Sequence, residues 1–121
     1  MRPPVYIAGP YRSVQPFGVD DNVSRARDLA AFAVRKGFTP FVPHVLGFRG
    51  VYGPGDTTAL DCCLSMVHAF GDVEGAQMWV IARDDGSLSE GTALEVEAWD
   101  GAEPVVRTWS EWATEIGRVR S

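Results

Sequence analysis

The sequence alternates short apolar runs with segments of helical periodicity, and this alternation is the feature that most restricts its possible folds. Three runs are typical of strands: residues 4–8, 76–82 and 103–108. Strands separated by helical segments favour a parallel sheet with right-handed crossovers. We therefore expect an α/β fold of the flavodoxin or Rossmann-like type, with a mainly parallel sheet of about four to five strands and helices on both faces.

Four segments carry the spacing of helices that bury one face. They are residues 20–36, residues 57–70, a segment that begins near Ser89 or Glu90 and runs to 100, and residues 109–119. Gly37 and Gly71 follow the first two, as expected of glycines that end helices. In the second helix the apolar spacing predicts that Leu60, Cys63, Leu64 and Val67 face inward. Asp61 then lies within its first two turns.

The segment 38–44 is harder to assign because it is rich in strand formers but contains Pro40 and Pro43. Proline cannot donate a hydrogen bond within a sheet, so the segment is either a short parallel strand or an irregular extended piece. A glycine-rich loop follows it through residue 56.

Length and charge exclude several classes of protein. We expect residues 1–121 to form one domain, because 121 residues with 45% hydrophobic content suffice for one core and not for two. A net charge of −5 argues against binding to duplex nucleic acid. The absence of a long apolar stretch or a secretory leader predicts a cytoplasmic protein with no membrane partner.

The two cysteines, Cys62 and Cys63, are adjacent in the chain. Adjacent cysteines are poor disulfide partners, and the pair matches no zinc spacing. We interpret both as small apolar helix residues. The sequence predicts neither a metal site nor a cofactor.

Ligands of open parallel sheets bind beyond the carboxyl ends of the strands, so the loops there are the candidate sites. After the first strand, Gly9 permits close approach of a ligand to the backbone, and Arg12 offers donors suited to phosphate. After the third, Ser89 and Gly91 open a helix whose free N–H groups favour an anion. Glu95 lies one to two turns inside that helix, where an isolated glutamate would be an ordinary surface residue.

Four motifs together resemble the nucleoside 2-deoxyribosyltransferase-like family, including its nucleoside 5′-monophosphate N-glycosidase branch. They are VYIAGPYR at 5–12, the Pro-His pair at 43–44, Asp61 on the second helix, and SEGTALE at 89–95. The resemblance covers roughly residues 4–100. The order and spacing of the four motifs support the resemblance more than any single motif does.

The resemblance assigns roles to individual residues. Glu95 corresponds to the family's nucleophile, and Ser89 and Gly91 match the other positions of the same motif. Tyr6 occupies the place of a tyrosine that orients the glutamate. Asp61 looks like the counterpart of an aspartate near the base, although Gln77 replaces an aspartate that commonly follows this helix in the family.

A serine at position 89 distinguishes among possible substrates. Family members that act on nucleosides usually have aspartate there, whereas the monophosphate hydrolases have serine. A carboxylate would repel a phosphate and a hydroxyl can donate to it, so Ser89 with Arg12 favours a 5′-monophosphate. Asp61, or else His44, is the candidate donor of a proton to the departing base.

The expected activity is therefore hydrolysis of the N-glycosidic bond of a nucleotide or nucleoside, with Glu95 as the attacking group. The alternatives are a nucleoside 2-deoxyribosyltransferase, a non-catalytic nucleotide-binding module and a redox flavodoxin-like protein. The family usually forms dimers or larger assemblies, so the resemblance also implies a homodimer or higher homo-oligomer.

Overall fold

The computed structural model describes residues 2–10, 18–43 and 58–120. In chain order its elements are β1 (Pro4–Ala8), α1 (Gly18–Arg35), β2 (Thr39–Phe41), α2 (Thr58–Gly71), β3 (Gln77–Ala82), α3 (Glu90–Ala98), β4 (Val105–Thr108) and α4 (Trp109–Arg120). The four strands pair in parallel in the order β2-β1-β3-β4. This confirms the predicted α/β fold of the Rossmann or flavodoxin-like type.

Side chains of the central strands alternate between two cores, one on each face of the sheet. Val5 and Ile7 of β1 pack with α1 and α4. Tyr6 and Ala8 pack in the opposite layer, with α2 and α3. The period of two along a strand produces this division, and it directs Tyr6 toward the layer that contains α3.

The layer beneath α4 is held by aromatic packing and one buried hydrogen bond. The indole of Trp112 stacks on that of Trp79, with ring centroids 5.3 Å apart. Its Nε1–H donates to the carbonyl oxygen of Val80 at 2.9 Å. Because a buried carbonyl needs a partner and an indole N–H needs an acceptor, this bond fixes α4 against β3.

The ambiguous segment 38–44 contains the short strand β2, which lies at one edge of the sheet. Its three residues include Pro40, which pairs in register with Val5 of β1. An edge strand tolerates proline because only one of its sides is hydrogen-bonded within the sheet. Gly37, just after α1, has φ of 95° and so ends the helix in the left-handed conformation as predicted.

The strand order places a topological switch point between β1 and β3. The chain leaves β1 toward β2 on one side and later enters β3 on the other. In open parallel sheets the crevice at such a point, outside the carboxyl ends of the strands, is where ligands bind. Among the helices of the described residues, none is long and apolar enough to cross a membrane.

Candidate functional site

A hydrogen bond between Tyr6 and Glu95 lies at the centre of the candidate site. The Tyr6 hydroxyl donates to Oε2 of Glu95 across 89 positions of sequence. Tyr6 is fully buried and Glu95 is 7% exposed. Within the described residues Tyr6 is the one hydrogen-bond partner of this carboxyl group, so none of those residues forms a hydrogen bond with Oε1.

The start of α3 determines where Glu95 is placed. Ser89 caps the helix, and its Oγ accepts from the backbone N–H of Thr92 at 3.3 Å. The hydroxyls of Ser89 and Thr92 are 2.6 Å apart, so they share a second hydrogen bond. Thr92 and Glu95 lie three and six residues after the cap, and both are buried. Helical spacing puts them on the face that meets the sheet.

Glu95 occupies a position that normally holds an apolar side chain. From residue 91 to 99 the fully buried residues are Thr92, Glu95 and Trp99, and Gly91, Val96 and Ala98 are half-buried. The spacings of three and four between the fully buried residues place them on one helix face. A buried carboxylate costs free energy unless it is hydrogen-bonded. Tyr6 supplies one such bond, and the remaining cost makes Glu95 a candidate for function rather than for stability.

Two phenylalanines fix the ring of Tyr6. Phe41 of β2 stacks on it with centroids 5.5 Å apart, and Phe70 of α2 meets it edge-on at 6.3 Å. Phe41 and Phe70 also contact each other, with centroids 5.2 Å apart. The hydroxyl of Tyr6 is therefore held in the apolar layer between the sheet and the two helices.

The environment changes the acidity of both partners. Burial raises the pKa of Glu95 to about 7, although the hydrogen bond from Tyr6 lowers it. Burial also raises the pKa of Tyr6 far above its usual range, and the nearby charge of Glu95 adds to this rise. At neutral pH Tyr6 is therefore a hydrogen-bond donor, and Glu95 is divided between its acid and its anion.

Cys63 is a third member of this cluster. Its half-buried side chain packs against the core cluster that contains Tyr6. Burial, followed by the charge of Glu95, raises the pKa of the Cys63 thiol to about 11. The sequence predicted that this side chain faces inward, but its place in the same layer as Tyr6 and Glu95 could not be found from spacing.

Of the two predicted site glycines, the structure places only Gly9 in close packing. A β-carbon at Gly9 would lie 3.2 Å from Cβ of Ile81, so the residue allows the end of β1 to pack tightly on β3. Among the described residues, a β-carbon at Gly91 would meet only Cδ1 of Leu60, at 4.0 Å. Packing within the described part of the chain therefore accounts for Gly9 and imposes little on Gly91.

The other predicted site residues are not brought to the pair by the described part of the chain. Asp61 is exposed on α2. Since residues two apart on a helix differ by about 200° in direction, it lies on the opposite side of α2 from Cys63. Arg12 and His44 lie outside the described residues.

The loop between β3 and α3 adds one arginine that the sequence analysis did not single out. Arg83 directly follows β3 and is exposed. Its Nη1 donates to the carbonyl oxygen of Leu88 at 3.5 Å, next to the helix cap Ser89. A cation is thus present on the loop that leads into α3. No group of three or more His, Cys, Asp or Glu side chains within the described ranges is arranged to hold a metal ion.

The fold and the pair of Tyr6 and Glu95 define a class of protein. It is a parallel α/β domain with a buried tyrosine and glutamate, hydrogen-bonded to each other, beside the switch point of its sheet. The family model described as "Domain of unknown function (DUF7768)" matches residues 3–108, so the chain belongs to that family. The match includes Tyr6, Cys63 and Glu95. No curated protein and no solved structure matches the chain.

Proposed function

We propose that this protein is an N-glycosidase that hydrolyses a (deoxy)nucleoside 5′-monophosphate to free base and sugar phosphate. The observation that carries the proposal is the buried carboxyl group of Glu95, to which Tyr6 donates a hydrogen bond. A carboxylate in an apolar layer beside a ligand-binding crevice suits nucleophilic attack, because little water solvates it. The resemblance of SEGTALE to the motif of the glycosidase branch supports the same assignment.

The proposed reaction has two steps. Glu95 attacks C1′ of the sugar, the bond from C1′ to the base nitrogen breaks, and its electron pair leaves with the base, which takes up a proton. Water then attacks C1′ of the glycosyl ester and releases the carboxylate and the sugar phosphate. This is the logic of a retaining glycosidase. Because Tyr6 holds Oε2, Oε1 is the attacking oxygen.

The start of α3 is the proposed binding site for the phosphate. It combines free backbone N–H groups with the Ser89 hydroxyl, and neither carries a charge that repels an anion. Arg12 is the cation implied by the resemblance, and Arg83 is a second cation on the adjoining loop. A guanidinium can bind two phosphate oxygens at once, so either arginine favours a monophosphate over a nucleoside.

Protonation of the base and the oligomeric state remain predictions from the resemblance. Asp61 and His44 are the proposed proton donors, and a homodimer or larger assembly is the proposed state in the cytoplasm. Sedimentation velocity measures the assembly directly. A neighbouring subunit that helped close the pocket would bring further groups to the exposed side of α2, where Asp61 lies.

Release of free base tests the proposed activity. The wild type, Glu95→Gln and the control Glu97→Gln are incubated with a panel of nucleosides and 5′-monophosphates, and free base is measured by chromatography. Glu97 is a matched control because it lies on the same helix but is exposed. We expect at least one monophosphate to be cleaved, Glu95→Gln to be slower by about 1,000-fold or more, and Glu97→Gln to match the wild type.

Two results would contradict this proposal: no base released from any member of the panel, or undiminished release by Glu95→Gln. A labelled free base added to the same reaction identifies the acceptor. Incorporation of the label into new nucleoside or nucleotide would show a deoxyribosyltransferase instead of a hydrolase.

A further inference from the structure

We propose that a cavity between α1 and α4 is a second binding site, which takes a small planar aromatic monocarboxylate. The cavity has a volume of about 230 Å³. An apolar cavity of about 150 Å³ can hold a benzene molecule, so this one has room for a single ring with a small substituent.

The cavity is remote from the pair of Tyr6 and Glu95. Its buried residues belong to the core layer of α1 and α4, on the other face of the sheet. Gln77 and Val105, the first residues of β3 and β4, line it, so it lies at the amino ends of these strands. The site is therefore separate from the one assigned to the proposed glycosidase reaction.

Aromatic side chains form the inner wall of the cavity. Phe32, Trp79 and Trp112 line it and are buried. The half-buried ring of Phe38 also lines it and meets Trp79 edge-on, with centroids 5.4 Å apart. Aromatic rings pack well against a further ring in edge-to-face or offset contacts. This wall therefore suits the flat apolar part of a ligand.

Most of the polar groups that line the cavity already have partners. The indole N–H of Trp112 donates to a carbonyl oxygen of β3, and that of Trp79 donates to Oε1 of Gln77 at 2.9 Å. Arg107 forms an ion pair with Glu115. Because an indole N–H can donate only to the oxygen of an amide, the bond from Trp79 also fixes which end of the Gln77 amide is the nitrogen.

Two lining groups have no hydrogen-bond partner in the described part of the chain, and both are donors. They are the amide nitrogen of Gln77 and the ammonium group of Lys36, which lies 5.6 Å from the centroid of the Phe32 ring. Neither group can accept a hydrogen bond, so a ligand must supply acceptor oxygens.

The charge of the lining residues indicates how many charges the ligand carries. Lys36, Arg107 and Glu115 together leave one positive charge at the cavity, which a monoanion balances. A carboxylate offers one negative charge and two acceptor oxygens. Joined to a flat ring, it matches both the two free donors and the aromatic wall.

Titration with benzoate, followed by NMR through the indole N–H signals, tests the site in the ligand-free protein. Benzamide has the same ring without the charge, and acetate has the charge without the ring. We expect benzoate to bind with a dissociation constant of about 1 mM, and the other two at least roughly tenfold more weakly. The signals of Trp79 and Trp112 should move, and that of Trp99, which lies in the other layer, should not.

Two variants test the donors separately. Gln77→Glu keeps the acceptor for Trp79 and replaces the free donor with a charged oxygen, whereas Lys36→Met keeps the apolar stem without the ammonium group. Each should weaken the binding of benzoate by about tenfold or more. Arg35→Met is the matched control, because Arg35 is the adjacent exposed cation and does not line the cavity. It should bind benzoate within about twofold of the wild type.

The proposal is overturned if benzoate causes no saturable shift, if benzamide or acetate binds as tightly, or if Lys36→Met binds benzoate no more weakly than Arg35→Met. Lys36 is exposed, so its variant gives a result even if thermal unfolding shows that Gln77→Glu is not folded. None of these measurements uses turnover, so a failure of the proposed glycosidase activity would leave the result unchanged.

Discussion

Burial of the Glu95 carboxyl group costs free energy and also makes the group suitable for the proposed reaction. The position lies on the inward face of α3, and the carboxyl group there is 7% exposed. Burial raises its pKa to about 7 while the hydrogen bond from Tyr6 opposes that rise. The tyrosine therefore keeps a useful fraction of Glu95 ionised at neutral pH.

The pH dependence of turnover should reflect the pKa of Glu95 that burial and the hydrogen bond from Tyr6 together produce. Attack requires the anion, so kcat/KM should fall about tenfold per pH unit below pH 7 and level off above it. In Tyr6→Phe the bond that lowers the pKa of Glu95 is lost, and the limb should move to higher pH. Because the phosphate of the substrate titrates near pH 6 in both enzymes, the difference between them belongs to the protein. Acid limbs at the same pH in the wild type and in Tyr6→Phe would show that the ionisation of Glu95 does not determine the pH profile of kcat/KM.

The residues of the site differ in how far sequence could identify them. Tyr6 and Glu95 were predicted to act together, and the structure joins them although they are 89 positions apart. That pairing was implied by the family resemblance, since no local pattern brings a strand residue to a distant helix. Cys63 was predicted to face inward, but which groups it would meet depends on how α2 lies over β1. A spacing pattern contains no information on that contact.

Among the elements, helices and strands with clear periodicity were predicted within one or two residues. The predicted helix at 20–36 begins two residues earlier, at Gly18, and β1 has the predicted bounds. The exception was β2, where two prolines obscured the strand pattern. Its place at the sheet edge explains how Pro40 is accommodated, and edge position is a property of topology that local sequence does not show.

The role of α4 should be structural, since it covers the face of the sheet away from Tyr6. Trp112→Phe removes the indole donor to Val80 and should destabilise the protein by about 1–3 kcal/mol. Trp109→Phe is the control on the same helix, at a half-buried position. Urea unfolding measures both, and the rate of hydrolysis per folded molecule should be unchanged. A loss of turnover at full stability would place α4 in the site.

In the whole molecule, the two faces of the sheet pack against layers that differ in the kinds of side chain they contain. The layer with α1 and α4 contains apolar and aromatic side chains that interlock with the central strands. The opposite layer places a tyrosine, a thiol and a carboxyl group among its apolar residues. The sequence predicted the layers from alternation, but it did not predict which layer would contain ionisable groups.

Global stability should therefore depend on the ionisation of Glu95. Its pKa rises from 4.5 to about 7 on folding, so the folded state favours the protonated form. This contribution is fully present below pH 4.5 and is lost as pH rises through 7, by about 3 kcal/mol in all. Glu95→Gln should gain about that much stability relative to the wild type between pH 4.5 and 8.5 in urea unfolding. Parallel profiles for the two proteins would show that Glu95 is not buried in solution.

The most direct test of the nucleophile is to trap the ester. A 5′-monophosphate with fluorine at C2′ slows both steps by destabilising the positive charge at C1′, and a good leaving group restores the first. We predict a mass increase equal to one fluorosugar phosphate, located on the peptide that contains Glu95 and absent from Glu95→Gln. Base release with no adduct in the wild type, or an adduct on a different residue, would contradict the account.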